Sequence, residues 1–376
     1  MSDIDAAAVA ADAVLPPQSR VLDIRFTGSG SEYFRIWAVN LLLILVTLGL
    51  YLPFAKARRI RYFYANTLVD GQALSFHGDP WTMFRGFVLL VLLMALSGGL
   101  GQFSPVLGGV AFVALVLLWP PLWRAGMRFR LTHTSWRGLR FGFSGSMAGA
   151  YMAFLPAAIP MVLLVLMPAD AGAAAAGLAG VAAIAFNFMV PWTLGLAKRY
   201  QHDHYRFARE QARTTLQPSQ VYGLSFRAGL VGGFAAAVAG LVTAFLLPSA
   251  RQGGGWLPLV GLGLLYFAAY VLASSIFTAG LQNMAWSRTA SDNISFESDL
   301  QTMDLAKLTL KNWLLTALTL SLYRPFAAAA TAKLRLEAVT VRTTVDIDGW
   351  TGDKAASDAN AAGDFAGDFF GIDMGL

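Results

Sequence analysis

The sequence predicts an all-α, multi-pass membrane protein with three transmembrane helical hairpins, on the evidence of its composition, its apolar segments and the placement of its charges. Hydrophobic residues make up 56% of the chain and charged residues only 13%, and the mean hydropathy is +0.55. Soluble domains of this size are less apolar and more highly charged. We therefore expect a lipid bilayer to surround most of the chain.

Eight apolar stretches are long enough to cross a hydrocarbon core of about 30 Å as helices. They lie at approximately 36–54, 84–103, 106–123, 147–167, 174–194, 230–247, 256–279 and 308–326. Short connections rich in glycine, proline or small residues join the second stretch to the third, the fourth to the fifth and the sixth to the seventh. Each of these pairs is predicted to form a hairpin, whereas the first and last stretches stand alone.

Basic residues are concentrated in the long connections between the hairpins. The three hairpin tips together contain a single basic residue, Arg251. Because lysine and arginine remain on the inner side of a membrane, the long connections are predicted to be cytoplasmic and the tips external. In a bacterium this places the protein in the inner membrane.

A short motif recurs five times in the chain: an apolar residue, a spacer, Phe, a spacer and a small residue. The alternation predicts a short strand, and the small residue predicts a turn into the next helix. We interpret the motif as part of an internal repeat of strand, helical hairpin and basic amphipathic helix. The motif residues are Phe26, Gly28, Phe76, Gly78, Phe143, Gly145, Phe226 and Phe296.

The first and last apolar segments resemble each other, since residues 40–55 align with 312–327 without gaps. If each crossed the membrane once, the strands before and after it would lie on opposite sides. Either the outer strands are periplasmic, which gives eight crossings, or both segments turn back inside the membrane, which leaves six. Polar Asn and Thr residues near their middles favour the re-entrant form. We therefore predict that both chain termini are cytoplasmic.

Three regions are predicted along the chain: a disordered segment at 1–20, a membrane domain built from repeats at 21–345, and a disordered tail at 346–376. The first segment is acidic and rich in alanine, without the basic start and apolar core of a secretory signal peptide. The tail is rich in Asp, Gly and Ala, a composition that buries too little apolar surface to fold alone.

Four runs of residues carry a resemblance to a known family. They are FTGSGSEYFRIW at 26–37, NLLL at 40–43, LGLYLPFAK at 48–56 and RIRYFY at 59–64. The chain resembles the YjgN-like family of bacterial inner-membrane proteins, a domain of unknown function, over roughly residues 21 to 341. The resemblance implies a polytopic inner-membrane protein and supplies no activity or site residues. The last half-unit departs from the first, because Ala and Thr at 328–331 replace Lys56 and its basic neighbours.

The membrane segments contain neutral polar residues but no ionisable residue near the centre of a hairpin helix. A carrier coupled to protons through an intramembrane carboxylate is therefore disfavoured. The neutral positions either form hydrogen bonds between helices or line a path for a polar solute. These intramembrane polar positions are Asn40, Thr47, Asn187, Asn312 and Thr319.

No motif predicts catalysis, a metal site or a cofactor, so we expect the protein not to be an enzyme. The chain lacks cysteine, which excludes thiolate metal sites and cysteine nucleophiles. His202 and His204 are two residues apart and would face different sides of a helix, and no third ligand is evident.

Basic residues next to aromatic residues recur before the predicted strands. One interpretation is topological, because such residues hold loops inside and sit at the interface. The alternative is that they bind anionic lipid headgroups. The pattern disfavours nucleic acid as a partner, since these patches are divided among loops at a membrane. The candidate headgroup contacts are Lys56, Arg58, Arg59, Arg61, Arg128, Arg130, Lys198 and Arg199.

Two functions from different classes follow from these patterns. The first is a channel or transporter for a neutral polar solute or a lipid, suggested by the repeats, the matched ends and the polar membrane positions. The second is a non-catalytic membrane scaffold that binds anionic lipids. The sequence identifies neither a substrate nor an energy source.

Overall fold

The computed structural model describes residues 19–167, 172–251 and 257–345. Its helices are α1 Gly30–Val46, α2 Leu52–Ala65, α3 Pro80–Phe103, α4 Pro105–Thr132, α5 Met147–Leu166, α6 Gly172–Asp203, α7 Pro218–Arg251, α8 Leu257–Trp286, α9 Thr302–Leu318 and α10 Arg324–Glu337. Its strands are β1 Arg20–Leu22, β2 Ile24–Phe26, β3 Thr67–Val69, β4 Gln72–Phe76, β5 Thr134–Trp136, β6 Leu139–Phe143, β7 Tyr205–Phe207, β8 Glu210–Gln211, β9 Arg213–Thr214, β10 Thr289–Ala290, β11 Ile294–Ser298 and β12 Val339–Thr343. The tail at 346–376 and all but the last two residues of the segment 1–20 lie outside the described residues, so disorder there stays a prediction.

Six helices in the described part of the chain, α3 to α8, are long and apolar enough to cross a membrane. They pack as the consecutive pairs α3–α4, α5–α6 and α7–α8, which confirms an all-α multi-pass protein with three helical hairpins. Many of their apolar side chains are exposed on the isolated chain, with Ile184 62% and Leu92 60% exposed. Such a surface is unfavourable in water and suited to hydrocarbon, so lipid covers it.

The first apolar segment does not form one continuous helix, because α1 ends at Val46 and α2 begins at Leu52. Thr47 caps the break: its hydroxyl donates to the carbonyl four residues earlier, at 2.7 Å, and accepts from the amide four residues later, at 3.0 Å. The next two residues have φ of 50° and 93°. These left-handed conformations reverse the chain direction and carry it back along α1.

The last apolar segment breaks in the same way. Thr319 donates to the carbonyl four residues earlier at 2.6 Å and accepts from the amide four residues later at 3.0 Å, and the following two residues have φ of 49° and 74°. Every backbone N–H from 47 to 52 and from 319 to 324 donates a hydrogen bond inside its own turn. Both tips therefore meet the requirement that backbone groups in hydrocarbon be satisfied internally.

The strands that flank these two segments show that each segment returns to the side from which it entered. β2 precedes α1 and β3 follows α2, yet the two strands pair antiparallel with Phe26 opposite Thr67. Likewise β11 precedes α9 and pairs with β12, which follows α10. A segment whose two ends are hydrogen-bonded neighbours cannot cross the bilayer. The first and the last apolar segment therefore both have the re-entrant form.

The twelve strands of the described chain form a closed ring at one end of the helices, which we call the β-ring. The strand orders are β1-β12-β11-β10-β9 and β2-β3-β4-β5-β6-β7-β8. Only Asp23 separates β1 from β2, and only Ala212 separates β8 from β9. Each sheet therefore ends where the other begins, and the closure leaves no long open edge for pairing with another chain.

Apolar side chains from both sheets fill the inside of the β-ring. The buried members, which we call the ring core, are Leu22, Trp136, Leu139, Ile294 and Val341. Trp136 is 4% exposed, and its indole N–H lies 3.2 Å from each of two carbonyl oxygens of the β3–β4 hairpin. The ring core holds strands that are distant in sequence against one another and closes the end of the helix bundle.

Three copies of the Phe motif share one local structure. In each, the Phe ends a strand and its ring folds over the glycine two residues later, as for Phe26 above Gly28. A Cβ added at Gly28 would lie 2.6 Å from that ring, a distance that real Cβ atoms do not adopt. The small residue of the motif is therefore required by packing. The three pairs are Phe26 with Gly28, Phe76 with Gly78, and Phe143 with Gly145.

The prediction of a strand around Phe226 is wrong, because this residue lies in α7 and is 67% exposed. The helix begins at Pro218, a residue favoured in the first turn of a helix. Since α7 is apolar on all sides, a short apolar alternation within it does not distinguish helix from strand. The strand at this place in the β-ring is β9, which has no aromatic residue. The strand predicted around Phe296 is confirmed as β11.

Glu210 stabilises one of the two places where the sheets of the β-ring meet, the junction of β8 and β9. Its carboxylate accepts from the side-chain amide of Asn293 at 2.7 Å, which links β8 to the β10–β11 turn. Partial burial raises the pKa of Glu210, but hydrogen bonds from Asn293 and Ser291 outweigh burial and leave its pKa below the ordinary value of 4.5. The folded chain therefore favours the ionised carboxylate. Its stabilising effect is present above the unfolded pKa and is lost as the pH falls through the folded pKa.

We expect Glu210→Gln to lower the melting temperature in detergent near neutral pH, and the difference from wild type to shrink as the pH falls below about 4.5. The same substitution in an Asn293→Ala background should show a smaller pH dependence, because the side-chain amide of residue 293 no longer donates to the carboxylate. A difference that stayed constant between neutral and acid pH would contradict this assignment. Thermal unfolding followed by tryptophan fluorescence measures it.

Candidate functional site

An open pocket of about 600 Å³ lies between α1 and α2, the two helices of the first re-entrant segment. We call it the α1–α2 pocket. Arginine side chains line one part of it, and aliphatic side chains of α1 line another. Its residues are Arg35, Ile36, Val39, Arg58, Arg61 and Tyr62.

Tyr62 fixes α2 against the start of α1. Its hydroxyl donates to the carbonyl of Ser29 at 2.9 Å and approaches the carboxylate of Glu32 at 3.2 Å, and its ring stacks on Tyr33 at 5.3 Å. Ser29 in turn caps α1 by accepting from the Glu32 amide at 3.2 Å. Partial burial, assisted by the Glu32 contact, raises the pKa of Tyr62, so the phenol remains a hydrogen-bond donor at neutral pH. These contacts give the pocket a defined wall.

The arginines of the pocket have no carboxylate partner among the described residues. Arg61 donates to the carbonyl of Gly78 at 3.1 Å, the guanidinium of Arg58 lies 5.5 Å from the Tyr51 ring centre, and the exposed Arg35 has no ion pair within the described chain. Three cationic side chains line one open pocket, and a guanidinium without a carboxylate partner can donate charge-assisted hydrogen bonds to a bound anion.

The other candidate headgroup residues fall on two sides of their helices. Arg59 and Arg199 are exposed, and Lys56 and Arg128 are partly exposed. Arg59 lies 5.7 Å from the Phe63 ring centre, and Arg199 forms an ion pair with Asp203 at 3.5 Å. Arg128 and Arg199 lie near the β-ring ends of α4 and α6, Arg59 lies in the middle of α2, and Lys56 lies nearer the re-entrant tip. Their contact with lipid stays a prediction.

Arg130 and Lys198 point toward the interior of the helix bundle. Lys198 donates to the side-chain carbonyl of Gln201 at 3.3 Å, and both Gln201 and Arg130 contact the sulfur of Met127, at 3.7 and 3.4 Å. The sequence does contain a signal for this difference. Lys198 and its neighbour Arg199 are 100° apart around a helix, so one of them can face inward while the other faces out.

The neutral polar positions do not share one path through the described helices. Thr47 and Thr319 cap the two re-entrant tips, and the exposed Asn187 donates to the carbonyl four residues earlier in α6 at 2.9 Å. Asn40 and Asn312 are 6% and 7% exposed. Within the described chain, their side-chain carbonyl oxygens are buried without a hydrogen-bond partner.

The two histidines at two-residue spacing face different surroundings. Nδ1 of His202 lies 2.9 Å from the hydroxyl of Thr289, whereas Nδ1 of His204 lies 2.8 Å from the carbonyl of Tyr200. No group of three His, Cys, Asp or Glu side chains suited to a metal ion occurs in residues 19–167, 172–251 or 257–345.

Comparison with known proteins gives a family match over most of the chain. Residues 21–369 match a bacterial family described as of unknown function, DUF898. The chain is 36% identical over 138 residues to the inner membrane protein YjgN of Escherichia coli O157:H7, which covers 35% of this chain and 34% of the relative. It is 32% identical over 145 residues to the protein of the same name from Salmonella typhimurium, covering 38% and 37%. These alignments span about a third of the curated relatives, and no solved structure matches.

Proposed function

Because the chain belongs to the bacterial DUF898 family of unknown function, we propose that this multi-pass inner-membrane protein is a non-catalytic binder of anionic lipid headgroups. The observation that carries the proposal is the α1–α2 pocket, which is lined by Arg35, Arg58 and Arg61, none with a carboxylate partner in the described chain. Ile36 and Val39 of the same pocket offer an apolar surface for the first part of an acyl chain. A basic site beside an apolar wall fits a phosphate group attached to a hydrocarbon tail.

The position of the pocket supports a ligand from the inner leaflet. It lies at the β-ring end of the helices, because Arg61 is hydrogen-bonded to Gly78 between β4 and α3. The basic connections lie at the same end, and the positive-inside rule assigns that end to the cytoplasm. Anionic lipids give the cytoplasmic leaflet a negative surface potential, and each basic residue near it contributes about 1 kcal/mol.

The test is to remove the three charges and measure which lipids remain bound. We expect Arg35→Gln/Arg58→Gln/Arg61→Gln to weaken phosphatidylglycerol binding by roughly a hundredfold, from about 1 kcal/mol per charge. Native mass spectrometry of the purified full chain would report the ratio of phosphatidylglycerol to phosphatidylethanolamine bound. The matched control removes three exposed arginines on the β-ring and should leave this ratio unchanged: Arg140→Gln/Arg206→Gln/Arg213→Gln. Equal ratios for wild type and the pocket variant would overturn the proposal.

We further propose that the chain was built by repetition of one unit. In five places a backbone amide just after a strand of the β-ring donates, at 2.8 to 3.1 Å, to a carbonyl just after the last helix before the next strand hairpin or the final strand. The five pairs are Thr27 with Asn66, His77 with His133, Ser144 with His204, Thr215 with Arg288, and Asp299 with Ala338. Five equivalent bonds around one ring support a common origin for the units.

Passage of a neutral polar solute is a second candidate function. It is favoured by Asn40 and Asn312, whose buried side-chain carbonyl oxygens lack a hydrogen-bond partner in the described chain. Buried polar atoms without partners are rare and often mark a ligand or water position. Uptake of a panel of neutral solutes into reconstituted vesicles tests this candidate, and rates equal to those of empty vesicles would argue against it.

A further inference from the structure

Three exposed arginines lie close together on the outer surface of the β-ring. They are Arg140 in β6, Arg206 in β7 and Arg213 in β9, and we call them the arginine face. Phe141 and Phe207 lie opposite each other in the pairing of β6 with β7 and pack against the ring core. Because successive side chains of a strand point to opposite faces, Arg140 and Arg206 point outward. Arg140 is two positions from the residue opposite Arg206, and such diagonal neighbours are about 7–8 Å apart, within reach of long side chains.

The strand register extends the arginine face across β8 to β9. Gln211 of β8 lies opposite Arg206, and Arg213 follows Gln211 by two positions, which places it on the same side of the chain. The next pair agrees with this direction, because Thr214 and the opposite Thr289 are buried whereas Arg213 is exposed. The three arginines therefore share one side of the β-ring.

The arginine face contains no carboxylate partner. None of its three members forms an ion pair within residues 19–167, 172–251 and 257–345. Arginines elsewhere on the ring differ, since Arg342 lies 3.0 Å from Glu297 and Arg25 lies 3.6 Å from Asp23. The arginine face thus presents guanidinium groups that can donate charge-assisted hydrogen bonds to carboxylates of another segment.

The chain itself supplies an acidic segment that leaves the β-ring beside this face. The backbone amide of Thr344, just after β12, donates to the carbonyl of Asn293 at 3.0 Å. The side chain of Asn293 donates in turn to Glu210 of β8 at 2.7 Å. The tail at 346–376 therefore begins two hydrogen bonds away from the strand that separates Arg206 from Arg213. It contains seven Asp residues and one Lys.

The spacing of the tail residues allows them to reach the arginine face. Asp364 is 20 positions beyond Thr344, and a chain of about 20 residues spans about 25 Å even when it is not extended. A Phe directly follows both Asp364 and Asp368, and aromatic rings stack on guanidinium planes. The match to the family model continues to residue 369, so most of the tail belongs to the sequence that the family shares.

We propose that the acidic tail docks on the arginine face, where its Asp carboxylates pair with Arg140, Arg206 and Arg213. A segment that buries too little apolar surface to fold alone can still become ordered against a complementary surface. Docking covers the junction of β8 and β9, where each strand has only two residues. The proposal is independent of lipid binding in the α1–α2 pocket, because no residue of the arginine face lines that pocket.

The experiment follows the tail with a nitroxide spin label at Ala366→Cys in the purified full chain. The chain has no other cysteine, so the label reports one position, between Asp364 and Asp368. In neutral detergent at low salt, the immobile component of the spectrum measures the docked tail. Arg140→Gln/Arg206→Gln/Arg213→Gln should lower the ratio of docked to undocked tail by about tenfold, the combined effect of three exposed ion pairs. Salt at about 1 M should lower the ratio in the unsubstituted ring in the same way, because it screens these pairs.

A charge-matched control separates the arginine face from the net charge of the ring. Arg20→Gln/Arg25→Gln/Arg342→Gln also removes three positive charges, but from arginines that each have a carboxylate partner in the described chain. We expect this control to change the docked ratio by less than about twofold. An equal loss in the two ring variants would overturn the arginine face as the docking site, because it would mean that only net charge matters.

A variant of the tail completes the test without altering the ring. Asp364→Asn/Asp368→Asn should also lower the docked ratio, and this loss cannot come from a misfolded ring. Combining it with Arg140→Gln/Arg206→Gln/Arg213→Gln should add little, because groups that pair directly give non-additive losses. Fully additive losses would contradict direct pairing. A label that is mobile at low salt with the ring unsubstituted would also overturn the proposal, and would leave the arginine face to a membrane surface or a second protein.

Discussion

Single cysteines placed in the second and the last strand of the β-ring are expected to react with a membrane-impermeant maleimide from the same side of the membrane. The chain contains no cysteine, so each introduced thiol reports its own position. Arg25→Cys in β2 and Arg342→Cys in β12 lie at exposed ring positions. Both should be labelled in inverted vesicles and protected in intact spheroplasts, whereas Gln102→Cys at the tip of the first hairpin should show the reverse.

The re-entrant tips provide the stricter part of this test. Leu48 and Leu320 are 95% and 89% exposed on the isolated chain, so water would give cysteines at these positions full access to the reagent. In hydrocarbon the thiolate does not form, and Leu48→Cys and Leu320→Cys should stay unlabelled from both sides until detergent is added. Labelling of Leu48→Cys from the periplasmic side, or of the two strand positions from opposite sides, would contradict six crossings with returning ends.

Trp136→Ala is expected to lower the free energy of unfolding by about 3–5 kcal/mol, the usual loss for truncating a buried large aromatic side chain. Trp136 is 4% exposed, lies 5.7 Å from Phe207 between ring centres, and donates to two carbonyls of the neighbouring hairpin. Its removal leaves a cavity in the ring core and two carbonyls without their donor. Chemical unfolding of the purified protein in mixed micelles measures the change.

Trp313→Ala is the matched control, because it removes the same side chain from a surface position. Trp313 lies on α9, is 54% exposed and has an edge contact with Phe267 at 5.8 Å. We expect its loss to change the unfolding free energy by less than about 1 kcal/mol. Similar losses for the two variants would mean that the ring core is not the main packing unit of this end of the protein.

The membrane helices could be predicted because their signal is local. A run of about 20 apolar residues specifies a crossing whatever its neighbours are. The breaks in the first and last apolar segments could also be predicted, since Thr47 and Thr319 occupy matched positions. Each hydroxyl replaces a backbone partner where its helix stops. Polar residues in these segments thus indicated where the chain turns.

Closure of the β-ring could not be predicted, because it depends on pairing between distant residues. Arg20 pairs with Thr343, and neither β1 nor β12 contains a signal for its partner or register. The join at Ala212 separates strands of two residues each, too short for a periodic pattern. The apolar alternation around Phe226 illustrates the converse, because a strand-like pattern there lies within a long helix.

The candidate sites were only partly visible in the sequence. Basic residues beside aromatic residues marked the helix ends, but the pattern did not specify which side of each helix faces the interior. Arg128 and Arg130 are two residues apart and therefore face different directions on α4. The fold divides the basic residues between the outer surface and the interior of the helix bundle, a division that depends on the arrangement of all ten described helices.

The closed ring also constrains the order in which the chain can mature during translation. β1 is among the first described segments to leave the ribosome, but its partner β12 is completed only when residue 343 has been made. Until then β1 and the most recently made strand both present open edges, while the hairpins enter the membrane one after another. The β-ring of the nascent chain must therefore remain open throughout insertion. Pairing of β12 closes it and covers the strand edges that would otherwise be exposed to aggregation and proteolysis.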